Sequence, residues 1–376
     1  MLKGINLTLL IGPAVPIPAP QSVIDALTSI TVTTTSGTSM SGFELTFTLS
    51  NRSPLHTIFL LSGGAMPPIM RVVIVITLNG TPNVLMDGVM LDHQVAPGTD
   101  SAHSVLTIRG KDLTAVMDVV DFSGVPYPAM PNFARVAFIL AKYAVLGIVP
   151  LTIPEIVTDI PIPINRFPRH QGKDLAYIQM LALDSGYVFY LDPGPAPGMS
   201  VAYWGPEIKV GVPQPALNTN MDAHTNVESL QFRFDKERKV MPRVFFYEEK
   251  TKSVIGLTIP DITPLNPPLG LVPPLPPRIE PPSKTVFESP LKAILYGMAE
   301  ASRTSDAVFA TGSLNVLRYG RILKARQLVG VRGAGPAFDG LYYVRSVTHS
   351  IKRGEYKQNF ELARNGLVSA VPKVVP

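Results

Sequence analysis

The chain has no cysteine and few charged residues. Of its 376 residues, 46% are hydrophobic and only 16% are Asp, Glu, Lys or Arg. The missing cysteine excludes disulfides, thiolate metal sites and a cysteine nucleophile. A monomer surrounded by water usually carries about a quarter charged residues. The low value therefore indicates that much of the surface is buried against other chains.

Long hydrophobic runs are also missing. A membrane helix needs about 20 apolar residues, and the best windows, 58–78 and 134–157, are interrupted by Pro, Gly and charged residues. The apolar segment Leu2–Pro20 is too short to span, and its Ala14 and Ala19 leave a secretory signal as an alternative interpretation. The net charge of +5 includes no block of five or more Lys or Arg, so the sequence predicts no specific nucleic-acid binding.

Motifs for catalysis are missing as well. The chain has no HExxH, P-loop or GxSxG pattern. Four features are weak candidates for a functional site. Asp92-His93 could be a metal-ligand pair and Gly330–Gly335 a dinucleotide loop, but both are better explained as turns. Glu248-Glu249 could be a catalytic carboxylate pair and the single Trp204 could stack on a ligand, but a charged loop and hairpin packing explain them better. The sequence therefore predicts a protein that is not an enzyme, with no catalytic, cofactor-binding or metal-binding residues and no cofactor.

Proline is abundant, with 38 residues, many of them between Pro260 and Pro282. Because proline fixes φ and lacks a backbone donor, this stretch cannot form a central strand or the interior of a helix. We expect it to be extended and similar to polyproline. It could be a stiff linker, an arm that reaches a neighbouring subunit, or a ligand for a proline-binding groove.

Most of the chain has the period-two pattern of strands. In 42–50, Phe43, Leu45 and Phe47 share one face. Strands are predicted at 30–35, 42–50, 71–78, 85–95, 102–109, 187–191, 201–204, 227–234, 243–248, 311–316 and 322–330. Helical spacing predicts helices after Asp112, a plausible N-cap, and at 132–146, 175–186 and 290–302.

These patterns predict an α+β, mainly β chain in three domains. Two tube-like antiparallel β-barrel domains, at 1–110 and 223–376, flank a mixed α/β domain at 111–222. The last domain carries a Pro-rich insert at 258–285. The two outer domains read as two versions of one β-rich unit.

The end of the chain carries a family resemblance. Gly340–Gly366 (GLYYVRSVTHSIKRGEYKQNFELARNG) reads as two strands, 341–351 and 356–363, with Gly354 in the turn. It resembles the close of the phage late control D family, which are baseplate hub proteins of contractile tails related to the hub part of type VI secretion spike proteins. Three more segments resemble the family in the same order: SVLTIRGKDL at 104–113, the helix and aromatic hairpin of 174–206, and NVESLQFRFD at 226–235.

The resemblance implies a structural role. Hubs of this family form homotrimers, in which two tube-like domains per subunit make a pseudo-six-fold ring that joins the tail tube to a central spike. It implies as partners the tail tube protein, a separate trimeric spike protein, and baseplate wedge and tape-measure proteins. The implied location is the baseplate of a virion tail, assembled in the cytoplasm of the bacterial host.

Two other classes stay open on the sequence. A β-rich adhesin or carbohydrate-binding module would also explain the strands and aromatic residues. A cell-wall hydrolase would need two carboxylates that meet in a cleft.

Overall fold

The computed structural model describes residues 4–13, 15–36, 41–49, 55, 59, 70–98, 104–155, 160, 168–248, 252–259, 267–275, 278–281 and 290–371. The Pro-rich insert predicted at 258–285 and the residue Glu249 therefore lie partly or wholly outside the described residues. Within the described ranges, no helix combines the length and the apolar character that a membrane crossing requires.

The first region is an antiparallel meander, as its period-two pattern predicts. In the strand that begins at Gly42, Phe43, Leu45 and Phe47 are all buried on one face. The elements in chain order are β1 (Ile5–Pro13), β2 (Ile17–Pro18), α1 (Gln21–Ala26), β3 (Leu27–Thr35), β4 (Gly42–Leu49), β5 (Met70–Leu78), β6 (Thr81–Ala96) and β7 (Ser104–Asp112).

β1 is a strand that the sequence pattern did not indicate. It pairs with β5 along its whole length, from Ile5 opposite Leu78 to Pro13 opposite Met70. β5 is buried on both faces, since all its residues except Thr77 are buried. A strand enclosed on both sides needs no polar face, which explains the unbroken run of Val and Ile in its sequence.

The middle region is α+β. The carboxylate of Asp112 accepts a hydrogen bond from the backbone N–H of Thr114 at 3.1 Å, so its predicted capping role is confirmed. The elements are a 3₁₀ helix (Leu113–Asp118), α2 (Asn132–Ala141), a 3₁₀ turn (Ala144–Leu146), β8 (Ile148–Thr152), α3 (Asp174–Ser185), β9 (Val188–Pro193), β10 (Ser200–Gly205), β11 (Gln214–Asn218) and a 3₁₀ turn (Asp222–His224).

Two helices of this region are shorter than predicted. The helix after Asp112 is a single 3₁₀ segment, and the one predicted at 132–146 ends at Ala141. The 3₁₀ turn that follows this helix ends at Gly147, whose φ of +75° suits glycine. A side chain there would also collide with the backbone carbonyl of Gly198.

The last region returns to β structure. Its elements are β12 (Val227–Phe234), β13 (Val240–Glu248), β14 (Ser253–Thr258), β15 (Gly270–Val272), β16 (Arg278–Glu280), α4 (Pro290–Thr304), β17 (Val308–Asn315), α5 (Val316–Tyr319), β18 (Leu328–Arg332), β19 (Gly340–Lys352), β20 (Glu355–Arg364) and β21 (Leu367–Ser369).

The strand predicted at 322–330 is wrong in its first half. The backbone of Leu323 bonds to the side-chain amide of Gln358 instead of a neighbouring strand, with distances of 2.9 and 2.8 Å. Ile322 and Leu323 are buried by this connection. Their hydrophobicity reflects packing under the sheet and not membership of it.

One large sheet joins the first and last regions. Its strand order is β12-β17-β20-β19-β3-β4-β7-β6-β5-β1-β2, with β18 paired to β19 and β11 paired to β18. The join is the antiparallel pair of β3 and β19, from Thr35 opposite Ser346 to Ser29 opposite Lys352. The mainly β, α+β class is therefore confirmed, whereas the division into two tube-like barrel domains stays a prediction.

The two faces of this sheet differ in chemistry. One face holds a hydrophobic core shared by both regions, with β3, β4, β19 and β20 all contributing. The other face of β12, β17, β20, β19, β3, β4 and β7 is rich in Ser and Thr, all at least partly exposed, and we call it the hydroxyl face. Its hydroxyl residues are Ser29, Thr31, Thr33, Thr35, Thr46, Thr48, Thr107, Ser229, Thr311, Ser313, Ser346, Thr348 and Ser350.

The closing hairpin lies at the centre of the sheet. Gly354 in its turn has a φ of +84°, as predicted. Five of its side chains are buried in the core: Tyr342, Val344, Tyr356, Phe360 and Leu362. The hairpin is thus an internal part of the sheet, flanked by β3 on one side and β17 on the other.

We expect Phe360→Ala to lower the free energy of unfolding by about 3–5 kcal/mol, because it removes a buried aromatic ring and leaves a cavity. The neighbouring Asn359 is exposed on the opposite face of the sheet. We expect Asn359→Ala to change the free energy of unfolding by less than about 0.5 kcal/mol. Urea unfolding of both variants measures this. Equal losses in the two variants would contradict the assigned register.

Candidate assembly site

A buried ion pair joins the large sheet to the middle region. Arg71 on β5 donates two hydrogen bonds to the carboxylate of Asp87 on β6, both at 2.7 Å. The same guanidinium donates to the carbonyl of Gly198 at 2.9 Å, in the loop before β10. Burial raises the pKa of Asp87, while the bonds from Arg71 act in the opposite direction. Breaking such a pair leaves an uncompensated charge in the interior.

Arg326 contacts all three regions. Its Nε donates to the carbonyl of Thr35 at the end of β3 at 3.0 Å. Its Nη1 lies 3.2 Å from a carboxylate oxygen of Asp192, and the guanidinium stacks 4.0 Å from the ring centroid of Tyr190. Its own backbone N–H donates to the carbonyl of Val344 on β19 at 2.8 Å. One side chain therefore fixes the position of the middle hairpin against the β3–β19 join.

A third charged contact lies where the middle region leads toward β11. Lys209 is buried, and its Nζ lies 3.2 Å from both carboxylate oxygens of Asp306, just before β17. Burial opposes the charged form of Lys209, but Asp306 and Glu207 outweigh it and raise the pKa. The ammonium also lies 5.5 Å from the ring centroid of Tyr343. This contact holds the connection between regions in one place.

The middle region has its own buried polar cluster around His170. The Tyr127 hydroxyl and His170 Nδ1 are 2.8 Å apart, and His170 Nε2 lies 3.4 Å from Asp174 at the start of α3. Asp174 also binds the Tyr143 hydroxyl and Lys142 Nζ, each at 2.6 Å. Burial lowers the pKa of His170, while Asp174 opposes this effect.

A histidine beside a carboxylate can act in catalysis, but this pair is enclosed. The side chains of His170 and Asp174 are fully buried, and the second ring nitrogen already faces Tyr127. A substrate has no direct access to either group. The geometry instead fastens the segment 168–174 to 121–127, as the backbone bonds from His170 to Val125 and from Gly124 to His170 also do.

The features singled out in the sequence lie apart. Asp92 and His93 are in β6 opposite Arg109 and Ile108, and no group of three or more metal-ligating residues exists among the described residues. Gly330–Gly335 spans the end of β18 and the turn after it. Trp204 is buried against Tyr187, with ring centroids 4.8 Å apart.

Several strands have an edge that pairs with no other described strand. Among the described residues, β12 pairs only with β17, and Ile5–Thr8 of β1 pair only with β5. β6 extends beyond its pairing with β5, which ends at Val89, so 91–96 bond only to β7. Unpaired edges of this kind can accept a strand from another chain. Sequence reasoning gave no signal for which strands lie at the edges, since edge position depends on long-range pairing.

The small middle sheet has an edge of another kind. β8 pairs with β10 through its odd-numbered residues, as the bonds at Gly147 and Ile153 indicate. Pro150 therefore places its missing N–H on the open side of β8. Proline at such a position prevents a further strand from adding. By contrast, β12 contains no proline, which makes its edge the more open of the two.

Comparison with known proteins gives likeness in structure and none in sequence. No protein-family profile and no curated protein sequence matches the chain. A tail protein from Neisseria meningitidis MC58 has a similar structure, with a TM-score of 0.62 and 12% identity over 96% of this chain and 98% of that one. A 43 kDa tail protein of prophage MuSo2 from Shewanella oneidensis gives 0.61 and 14% over 96% and 99%.

A type VI secretion component of E. coli, described as structurally similar to the phage T4 tail proteins gp27 and gp5, has a TM-score of 0.55 and 11% identity. The match covers 93% of this chain and 77% of that one. At these identities the likeness concerns the fold. The chain thus has the fold of these tail proteins over nearly its whole length.

We expect Arg71→Gln to lower the free energy of unfolding by about 3–5 kcal/mol, because it leaves Asp87 buried without its ion-pair partner. The double change Arg71→Met with Asp87→Leu should cost less than the single change, since it removes both charges. Arg109→Gln is the control, because its pair with Glu44 is exposed, and its effect should be much smaller. Urea unfolding gives the coupling energy, and a value near zero would contradict the assigned role of the pair.

We expect Asp112→Asn to flatten the dependence of stability on pH. Burial raises the pKa of Asp112 above its ordinary value of 3.8, so the folded state keeps a proton that the unfolded chain has lost. The stability linked to this group is full below 3.8 and decreases as the pH rises through the raised pKa. Asn caps a helix as well as Asp does, so the variant should lack this decrease. Urea unfolding between pH 4 and 8 measures the free energy of unfolding of both proteins. The same dependence on pH in both proteins would contradict the prediction.

Proposed function

We propose that this protein is the hub of a contractile-tail baseplate, similar to the phage late control D proteins. In this role it is a structural protein without enzymatic activity. Three copies form a ring that joins the tail tube to a separate trimeric spike. Wedge and tape-measure proteins are further partners, and the location is the baseplate of the virion tail.

The observation that carries the proposal is the whole-length likeness in fold to two tail proteins, one of them from a prophage. It covers 96% of the chain in both cases and almost all of each tail protein. The likeness to the type VI component supports the position next to a spike, because that protein is described as similar to both gp27 and gp5. The closing hairpin and the three internal segments resemble the late control D family in the same order along the chain.

The geometry suits a ring component. Each chain brings two β regions that share one sheet through β3 and β19, so three chains bring six. Their open edges at β12 and β1 leave backbone groups for a neighbour, and the three charged contacts at the junction hold the regions rigid. The low content of charged residues, 16%, agrees with a surface that is largely covered in an assembly.

The edge of β12 offers a specific test. Leu230 lies on the core side of this strand and is half-buried, whereas the next residue, Gln231, is exposed on the hydroxyl face. A lysine that points inward at an edge hinders addition of a strand. We therefore expect Leu230→Lys to abolish the trimer and Gln231→Lys to retain it.

Light scattering of the purified full chain, alone and with tube and spike proteins of the same tail, measures the assembly. The expected mass is three times the 40.7 kDa of one chain. Circular dichroism shows whether Leu230→Lys is still folded. A chain that stays monomeric with both partners present would overturn the hub proposal. A folded Leu230→Lys trimer would overturn the role of the β12 edge.

A further inference from the structure

Two groups of five strands in the large sheet have the same arrangement. In chain order, the first group is β3, β4, β5, β6 and β7, and the second is β12, β17, β18, β19 and β20. In both groups the strands lie in the spatial order first, second, fifth, fourth, third, and all neighbours are antiparallel. The large sheet therefore contains one five-strand unit twice.

The bulges of the two units also match. The fourth strand of each unit, β6 or β19, has a bulge against the fifth strand, just before Asp92 and just before Ser346. The first strand of each unit, β3 or β12, has a bulge against the second strand, just before Ser29 and just before Ser229. These landmarks make Asp92 the equivalent of Ser346, and Ser229 the equivalent of Ser29.

The two units differ in how their edges are paired. After its bulge, β19 pairs with β3 through residues 346–352. Among the described residues, the corresponding end of β6, residues 91–96, bonds only to β7, and β12, which corresponds to β3, pairs only with β17. The chain thus carries both halves of the β3–β19 joint a second time, at two separate places where they are not joined.

The exposure of the side chains at these open edges supports the match. At the β3–β19 joint, Val32 and His349 lie opposite each other, and both are buried. Their equivalents are Phe232 on β12, which is half-buried, and Val95 on β6, which is 38% exposed. Joining the two edges would cover both side chains, and removing apolar surface from water favours association.

The charged groups at these edges also suit the joint. Arg233, the equivalent of Thr33, is 77% exposed and lies 2.9 Å from a carboxylate oxygen of Asp235. In the matched register it lies opposite Gln94 of a second copy and diagonal to Asp92. The same register sets Asp92 opposite Asp235, and the guanidinium of Arg233 lies beside both carboxylates.

We infer that β12 of one copy pairs with residues 91–96 of a second copy, antiparallel and in the register of β3 with β19. The inference rests on the proposed function, since it names the strand that the β12 edge meets in the ring. The two edges belong to different strands, so the contact is head to tail, and such contacts generate rings when the rotation closes. In this register Gln231 lies opposite Ala96, as Thr31 lies opposite Ser350 within the chain.

Because the chain has no cysteine, introduced thiols can be cross-linked without background. Gln231→Cys with Ala96→Cys places one thiol on each edge, at exposed positions on the hydroxyl face. A disulfide requires Cα atoms within about 7 Å, a distance that directly opposed residues of an antiparallel pair satisfy. Ser229→Cys with Gln94→Cys is the matched control, because it uses the same strands and face but lies four residues out of register.

A second control tests the geometry itself. Thr31→Cys with Ser350→Cys is the equivalent pair within one chain, so it should form an internal disulfide, which titration of free thiols measures. The full-length variants are oxidised alone and with the tube and spike proteins of the same tail. Denaturing gels without reductant then show which chains are linked, and circular dichroism shows that each variant is folded.

We expect Gln231→Cys with Ala96→Cys to give a covalent trimer, and the control and both single variants to run as monomers. A trimer by light scattering that gives no link from this double variant would overturn the strand assignment and leave the ring. A linked dimer of the single variant Gln231→Cys would show two β12 edges in contact and would overturn it as well. A chain that stays monomeric in solution with both partners present would instead overturn the hub, and the inference with it.

Discussion

The pairing of β3 with β19 is the constraint on which the rest of the structure depends. It joins residues about 315 positions apart, as the contact between Thr33 and Thr348 illustrates, and it makes one sheet of two regions. Because side chains alternate along a strand, this register sets which residues enter the core and which form the hydroxyl face. A slip of one residue would move Val32 and His349 out of the core and bring Thr33 in. The continuity of both faces therefore depends on this single ladder.

Val89 of β6 is part of the hydrophobic core of the middle region, and buried charged groups add directional contacts between the large sheet and that region. Apolar side chains can stay packed when one region rotates slightly against another. The hydrogen bonds from the guanidinium of Arg71 to Asp87 and Gly198 require one relative orientation. Arg326 and Lys209 add contacts of the same kind at two other points of the junction. We interpret these groups as determinants of orientation more than of stability, since buried ion pairs often add little net free energy over well-packed apolar residues.

Local sequence patterns predicted most of the strands and helices. Features that depend on pairing between strands far apart in the sequence were not predicted. The alternation of Phe43, Leu45 and Phe47 was enough to place β4, and Gly354 placed the closing turn. β1 was missed because a strand buried on one side and rich in Leu and Ile does not differ locally from any short apolar run. The apolar character of Ile322 and Leu323 predicted a strand there. The prediction failed because the backbone of Leu323 bonds to the side chain of Gln358, which lies 35 positions away. The edges at β12 and β6 and the charge pairs of the hydroxyl face follow from strand order, which no local signal contains.

The low charge content acquires a more specific meaning from this arrangement. Charged groups of the described residues include buried contacts at the junction, such as Lys209 with Asp306, and exposed pairs across strands, such as Arg109 with Glu44. Lys111 on β7 and Lys352 on β19 are also exposed on the hydroxyl face. A surface that binds a partner by charge would concentrate one sign, whereas pairing of opposite signs removes long-range attraction and leaves shape and backbone bonds to select neighbours. For the proposed ring, the open edges of β12, β6 and β1 are therefore the contacts that we expect to select a neighbouring chain.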